Sequence, residues 1–117
     1  MEQEAKRREN SVFIGEKPFM NYVTGVVMQF STDNTSEVVI KARGKFISRA
    51  VDVAEVACKR FMDGGAEVVN IKIDSEGFKN KDGKDIRVSI IEITLRKKSR
   101  ITIEEDKQRV QEARKED

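Results

Sequence analysis

The periodicity of apolar positions changes several times along the chain. Residues 11–15 (SVFIG) hold three consecutive apolar side chains closed by a glycine, which predicts a short strand. Pro18, the only proline, suits the first turn of a helix, where its missing N–H costs no hydrogen bond. From there Met20, Val23, Val27 and Phe30 recur at helical spacing and predict a core-facing stripe. The polar cluster 31–36 (STDNTS) breaks that helix. Residues 37–42 (EVVIKA) predict a second strand, and the unbroken apolar run 38–40 predicts a central, buried one. After Gly44 a second helix is expected, with Ile47, Ala50, Val51, Ala54, Cys58 and Phe61 on one face and Gly64-Gly65 at its end. Phe46, Val53 and Val56 fall off that stripe, which favours a subunit interface over irregular packing within one chain.

Two further strands follow. In residues 66–74, Val69, Ile71 and Ile73 alternate with Asn70, Lys72 and Asp74. In residues 86–95, Ile91, Ile93 and Leu95 form the expected inward set. Val88 and Ile90 fall on the opposite face, so a bulge or a second buried surface is required there. Asp82-Gly83 between them is a strong hairpin-turn signal. Strands continued past the core would carry that turn outward as an arm of about 20 Å, at ~3.3 Å per residue. The order β-α-β-α-β-β predicts an α/β fold (an α+β two-layer sandwich) with two helices on a four-stranded mixed sheet. Residues 11–98 form the single domain, preceded by a charged segment, 1–10, and followed by a charged, acidic tail, 99–117. Thr102 and Glu105 in the tail have the spacing of a capping box, so part of it is expected to be helical.

Composition narrows the chemistry. With no His and one Cys in 117 residues, imidazole catalysis, histidine metal sites, internal disulfides and multi-Cys zinc sites are excluded. No apolar run approaches the roughly 18 residues of a membrane helix, and the N-terminus lacks the apolar core of a secretory signal. A soluble intracellular domain, with no membrane partner, is therefore expected. Charged residues make up 38% of the chain, yet the net charge is only +2. Residues 11–100 hold 16 bases against 12 acids, and residues 101–117 hold four against six. A basic domain with an acidic tail points to an anionic partner. Cys58 sits on the apolar helix face without a base, Ser48 and Ser89 have none, and Asp52 with Glu55 reads as helix-surface patterning. The expectation is a non-enzyme without cofactor or metal.

Three stretches concentrate cations. Lys17 lies at a strand-to-helix junction, where free N–H groups and the helix dipole favour phosphate. Lys41, Arg43 and Lys45 alternate at the next such junction, and Arg49 one turn later extends them. Parallel first and second strands would open both junctions to one sheet edge. Lys79, Lys81, Lys84 and Arg87 flank the hairpin turn, and a cationic two-stranded ribbon suits a groove of duplex nucleic acid. Plainer readings stand beside these: an ordinary loop with one lysine, a solvated basic loop, and lysines that keep an edge strand soluble.

The blocks VFIGEKPFMNYV and EVVIKARGKFISRAVDVAE, a helix ending KRF and a final VSIIEITLRKK resemble the archaeal Alba chromatin protein family over roughly residues 11–98. The resemblance implies a fold similar to the C-terminal domain of translation initiation factor three. It implies a homodimer that coats and compacts double-stranded DNA on the chromosome, in a cytoplasmic nucleoid, with little sequence preference. It also allows a heterodimer with a paralogue and higher assemblies on DNA. Members bind RNA too, so an RNA-binding role of the ribonucleoprotein or ribonuclease P type is the alternative. By resemblance, Lys17, Lys41, Arg43 and Lys45 contact phosphates. The hairpin bases Lys79, Lys81, Lys84 and Arg87 reach toward the minor groove. Asn21 and Tyr22 belong to the motif, with Tyr22 positioning the loop, and Phe61 matches an aromatic used between dimers. Many members carry two lysines where this chain has Glu16-Lys17, a departure from the pattern on which the family's control by loop-lysine acetylation rests.

Overall fold

A computed structural model describes residues 10–33, 35–98 and 108–109. The expectations for residues 1–9 and for most of the tail, including its capping box, lie outside the described residues; Gln108 and Arg109 are helical.

The elements are β1 (Ser11–Phe13), α1 (Phe19–Ser31), β2 (Glu37–Arg43), a single 3-10 turn (Gly44–Phe46), α2 (Ile47–Val56), β3 (Ala66–Lys79) and β4 (Asp85–Lys97). After α2 the chain continues through a wider turn over Ala57–Phe61, with the Met62 N–H bonded to the Ala57 carbonyl five residues back. The four strands form one sheet in the order β1-β2-β4-β3. β1 and β2 are parallel and the other pairs antiparallel, which confirms the mixed two-layer α/β architecture.

Alternation in the central strands builds the core. Val38, Ile40 and Ala42 of β2 stand opposite Leu95, Ile93 and Ile91 of β4, and all six are buried under the helices. Ile91, Ile93 and Leu95 are thus the inward set, as the alternation implies. The helices contribute Tyr22, Val23, Val26 and Phe30 from α1 and Ala50, Val53 and Ala54 from α2, with Ala57 and Cys58 just beyond. Both helical stripes differ from expectation. Met20 is exposed and Val27 only partly buried, while Tyr22 and Val26 face the core. Val51 and Phe61 are exposed, while Val53 is fully buried and Val56 partly so. The small side chains at positions 50, 54 and 57 let α2 lie close to the sheet, and the larger Val53 fills the space beside them. Irregular packing within one chain therefore accommodates Val53, and a subunit interface is not needed for it.

The helices contact β1, β2 and β4 but leave β3 beyond Ala66 open. Val68, Ile71 and Ile73 pair with Leu95, Ile93 and Ile91, which places them on the helix side of the sheet. They are nevertheless exposed, Ile71 to 58% and Ile73 to 77%. No bulge occurs at Val88 and Ile90, where β4 is regular; the register shift lies instead in β3, between Val68 and Asn70. Val88 and Ile90 are half-buried on the opposite face. Gly44 has φ +55°, and a β-carbon there would stand 3.3 Å from Val88 Cγ2. A left-handed backbone and a close strand thus both select glycine at that junction.

β3 and β4 run well beyond the core as an arm, pairing without interruption from Ser75–Ser89 to Lys79–Asp85. Asn80 closes the turn, its side-chain oxygen accepting the N–H groups of Asp82 (2.9 Å) and Lys84 (3.0 Å). The strands are longer than their apolar pattern, so the arm begins where the hydrophobic signal fades.

Candidate nucleic-acid interface

The carboxyl ends of β1 and β2 carry the first two cationic stretches side by side. The Ile14 N–H donates to the Lys41 carbonyl at 2.9 Å, joining the two strands at the point where their loops begin. Lys45 Nζ lies 3.6 Å from the Glu16 carboxylate, so the second loop touches the first. Arg43 bonds Glu76 of β3 at 2.8 Å, joining the second loop to the base of the arm. One continuous edge therefore runs from Lys17 through Lys45 and Arg43 to the hairpin.

The first loop is held from beneath. The Tyr22 hydroxyl accepts hydrogen bonds from the backbone N–H groups of Gly15 and Lys17, both at 2.9 Å. Its ring is buried in the core, so the loop is tied to the packed body of the domain. Arg49 reaches back from α2 and donates to the Gly15 carbonyl at 2.7 Å. Its guanidinium stands 5.7 Å from the centre of the Tyr22 ring. Arg49, read from sequence as an extension of the cationic patch, thus has its head group turned inward onto the loop. Asn21 uses its backbone N–H on the Pro18 carbonyl at 3.0 Å, and its side chain is exposed.

The remaining cations divide by partner. Among the described residues, Lys17, Lys81 and Lys84 have no ion pair or side-chain hydrogen bond. Lys41 lies over the Phe13 ring at 5.6 Å. Lys79 pairs with Asp85 across the arm at 3.0 Å. Arg87 donates to Ser75 Oγ at 3.3 Å and lies over Gly77, where a β-carbon would stand 3.0 Å from Nη1. The Lys79–Asp85 and Arg87–Ser75 contacts are solvent-exposed, so each contributes about 0–1 kcal/mol and yields readily to a competing anion. Phe61 is 53% exposed in the turn after α2. Cys58 is buried, and burial, with the nearby Glu55 carboxylate, pushes its thiol up to about 11. That is the state of an inert core thiol.

The ion pairs of Glu16 and Glu76 and the inward turn of Arg49 were not read from the sequence. They join residues on different elements, and pairing of that kind leaves no periodic trace. Phe13 was also missed. It is 70% exposed on the face of the sheet away from the helices, although SVFIG reads as an apolar run.

Residues 10–75 match the family model Alba. The chain is 58% identical over 88 residues to the DNA/RNA-binding protein Alba of Nanoarchaeum equitans, covering 74% of this chain and 97% of that one. It is 54% identical over 90 residues to DNA/RNA-binding protein Alba 1 of Archaeoglobus fulgidus, covering 77% and 98%. The solved structure of Alba from Thermoplasma volcanium superposes with a TM-score of 0.67 at 46% identity, over 74% of this chain and 99% of that one.

Proposed function

The chain belongs to the Alba family, and we propose that it binds nucleic acid through this edge, coating duplex DNA of the nucleoid as a homodimer without sequence preference. The observation that carries the reading is the joining of two cationic loops and the arm into one surface, with the first loop fixed by Tyr22 and Arg49. Lys17, Lys41, Arg43 and Lys45 supply phosphate contacts. Lys79, Lys81, Lys84 and Arg87 on the arm reach into the groove. Tyr22 and Arg49 position the loop, and Asn21 lies in its first helical turn. No base-reading side chain is needed for such a surface, because charge supplies the affinity. The relatives named above are binding proteins by their names, which supports a non-catalytic role.

The open helix-side strip of β3, Val68, Ile71 and Ile73, supports a dimer, since an apolar strand edge of this size calls for cover. Phe61 is assigned to contacts between dimers. RNA is the second reading, favoured by the double designation of the relatives. Charge-based phosphate contacts do not separate the two polymers.

The test is a salt-titrated competition between duplex DNA and structured RNA, on protein of measured oligomeric state. If a dimer neutralises about eight phosphates, log K falls against log salt with a slope near −7. Lys17→Glu should weaken binding to every duplex sequence alike, and Glu16→Lys should strengthen it. Preference for RNA would move the function to RNA metabolism. Unchanged affinity in Lys17→Glu would remove the first loop from the surface.

A further inference from the structure

The sheet has a second face, turned away from the helices, and it carries an aromatic and a carboxylate, Phe13 and Glu92, that duplex coating does not use. A cleft of about 480 Å³ opens there, lined by Phe13, Lys41, Arg43, Phe46, Ile90 and Glu92 among others. That volume lies within the usual range for small-ligand sites, about 300–1,000 Å³. Its chemistry is mixed in a specific way. Phe13 is 70% exposed. Lys41 stands over that ring, and Arg43 lies at the rim in its pair with Glu76. Register places Phe13, Lys41 and Glu92 in one row across β1, β2 and β4. Phe13 and Glu92 are therefore two strand spacings apart, roughly 10 Å.

An open sheet face with an exposed aromatic is a platform on which an unpaired base can stack. Glu92 stands between Lys41 of β2 and Lys72 of β3 in the ladder, and the two lysines hold its charge on this cationic face. There it can accept hydrogen bonds from a base edge. Among the described residues Glu92 has no ion pair or side-chain hydrogen bond, so its oxygens are available as acceptors. A carboxylate accepts two parallel N–H bonds, and among the common bases guanine presents two adjacent N–H donors on its pairing edge. A purine lying on Phe13 and extended by one hydrogen bond spans the distance to Glu92.

We propose that this cleft is a subsite for one unpaired guanine base of a single-stranded segment adjoining the coated duplex. Phe13 stacks the base, Glu92 accepts from its N1 and N2 hydrogens, and Lys41 and Arg43 hold the flanking phosphates. The proposal rests on the nucleic-acid reading above and adds to it a site that discriminates between bases. It concerns recognition of a strand end or gap, which blunt duplex does not offer.

The experiment compares a blunt DNA hairpin with the same hairpin carrying a four-nucleotide 3′ overhang, either all adenine or with one guanine, measured by fluorescence anisotropy. Wild type, Phe13→Ala and Glu92→Gln are used, each with its mass measured by sedimentation. The guanine overhang should bind about tenfold more tightly than the blunt hairpin, the gain expected of one stacked base. Phe13→Ala should lose that gain while its affinity for the blunt hairpin changes less than twofold. Glu92→Gln should keep most of the stacking gain but lose the preference for guanine over adenine. Equal affinity for blunt and overhung hairpins in the wild type overturns the subsite and leaves the duplex reading intact. An overhang gain without guanine preference overturns the role of Glu92. A change of mass in Phe13→Ala would make the ring a subunit contact and overturn the stacking site. Failure of all three hairpins to bind at low salt would overturn the nucleic-acid reading itself.

Discussion

The two ends of the β3–β4 ladder share one register but rest on different physics. At the body end, Ile91, Ile93 and Leu95 lie beneath the helices, and Val38, Ile40 and Ala42 flank them in the next strand. At the arm end, the same two strands continue from Ser75–Ser89 to Lys79–Asp85 with no third strand beside them and no helix above. Apolar burial stabilises the body. The arm relies on backbone pairing, the Asn80 turn and exposed side-chain contacts such as Lys79–Asp85. A two-stranded ribbon of that kind is marginal by itself, so the arm is ordered only as an extension of the packed sheet. Stability and proposed function are thereby separated along a single hairpin.

Substitutions that probe the two ends should differ most. Leu95→Ala, at a fully buried site, should cost about 2–5 kcal/mol of unfolding free energy. Ile86→Ala in the arm should cost about 1 kcal/mol or less, since its side chain is only partly covered. Urea denaturation of both variants measures the contrast, and equal losses would mean that the arm is buried in solution.

The next effect depends on pH and belongs to the body. The Cys58 thiol is pushed up from 9.0 to about 11 in the folded protein. Above pH 9 the unfolded chain releases this proton while the native state retains it, so stability falls as pH rises from about 9 toward 11. The loss from this group is at most about 2 kcal/mol across that window. Cys58→Ala should show a correspondingly flatter stability profile there, measured by denaturant midpoints at several pH values.

A smaller effect is expected at the join between core and loop. Tyr22→Phe keeps the buried ring but removes the acceptor of two backbone N–H groups. A cost of about 1–2 kcal/mol is expected, with weaker duplex binding because Lys17 is no longer held. Unchanged stability would show that water replaces the hydroxyl without penalty. The smallest stability change should come from the largest edit. Replacing residues 76–88 with Asn-Gly should alter unfolding free energy by less than about 1 kcal/mol, while lowering both duplex affinity and the magnitude of its salt slope.

The same division explains what could be read from the sequence. The inward set of β4 was legible because alternation with a period of two admits only two faces. The helical stripes were legible in kind but off by two positions in places, exchanging Val51 for Val53 and Met20 for Tyr22. A broad apolar helix allows neighbouring stripes, and only the shape of the sheet decides between them. The length of the arm was not written in apolar residues, since Ser75, Glu76 and Gly77 continue a strand without a hydrophobic face to mark it. For the site, the parallel arrangement of β1 and β2 was enough to bring Lys17 and Lys41–Lys45 together. The pairing of Arg43 with Glu76 and of Arg49 with Gly15 depends on side-chain direction across 33 and 34 residues of sequence, which periodicity does not carry.

The double acceptance at the Tyr22 hydroxyl has a kinetic consequence. With the amides of Gly15 and Lys17 already bonded to it, those N–H groups are not presented to solvent as a mould for one phosphate. What the loop offers is a cation on a flexible stem. A cradle of amides would grip a single phosphate in one orientation and release it slowly. A flexible cation exchanges one phosphate for the next at little cost, so under the proposed function the protein would translate along a duplex without first leaving it.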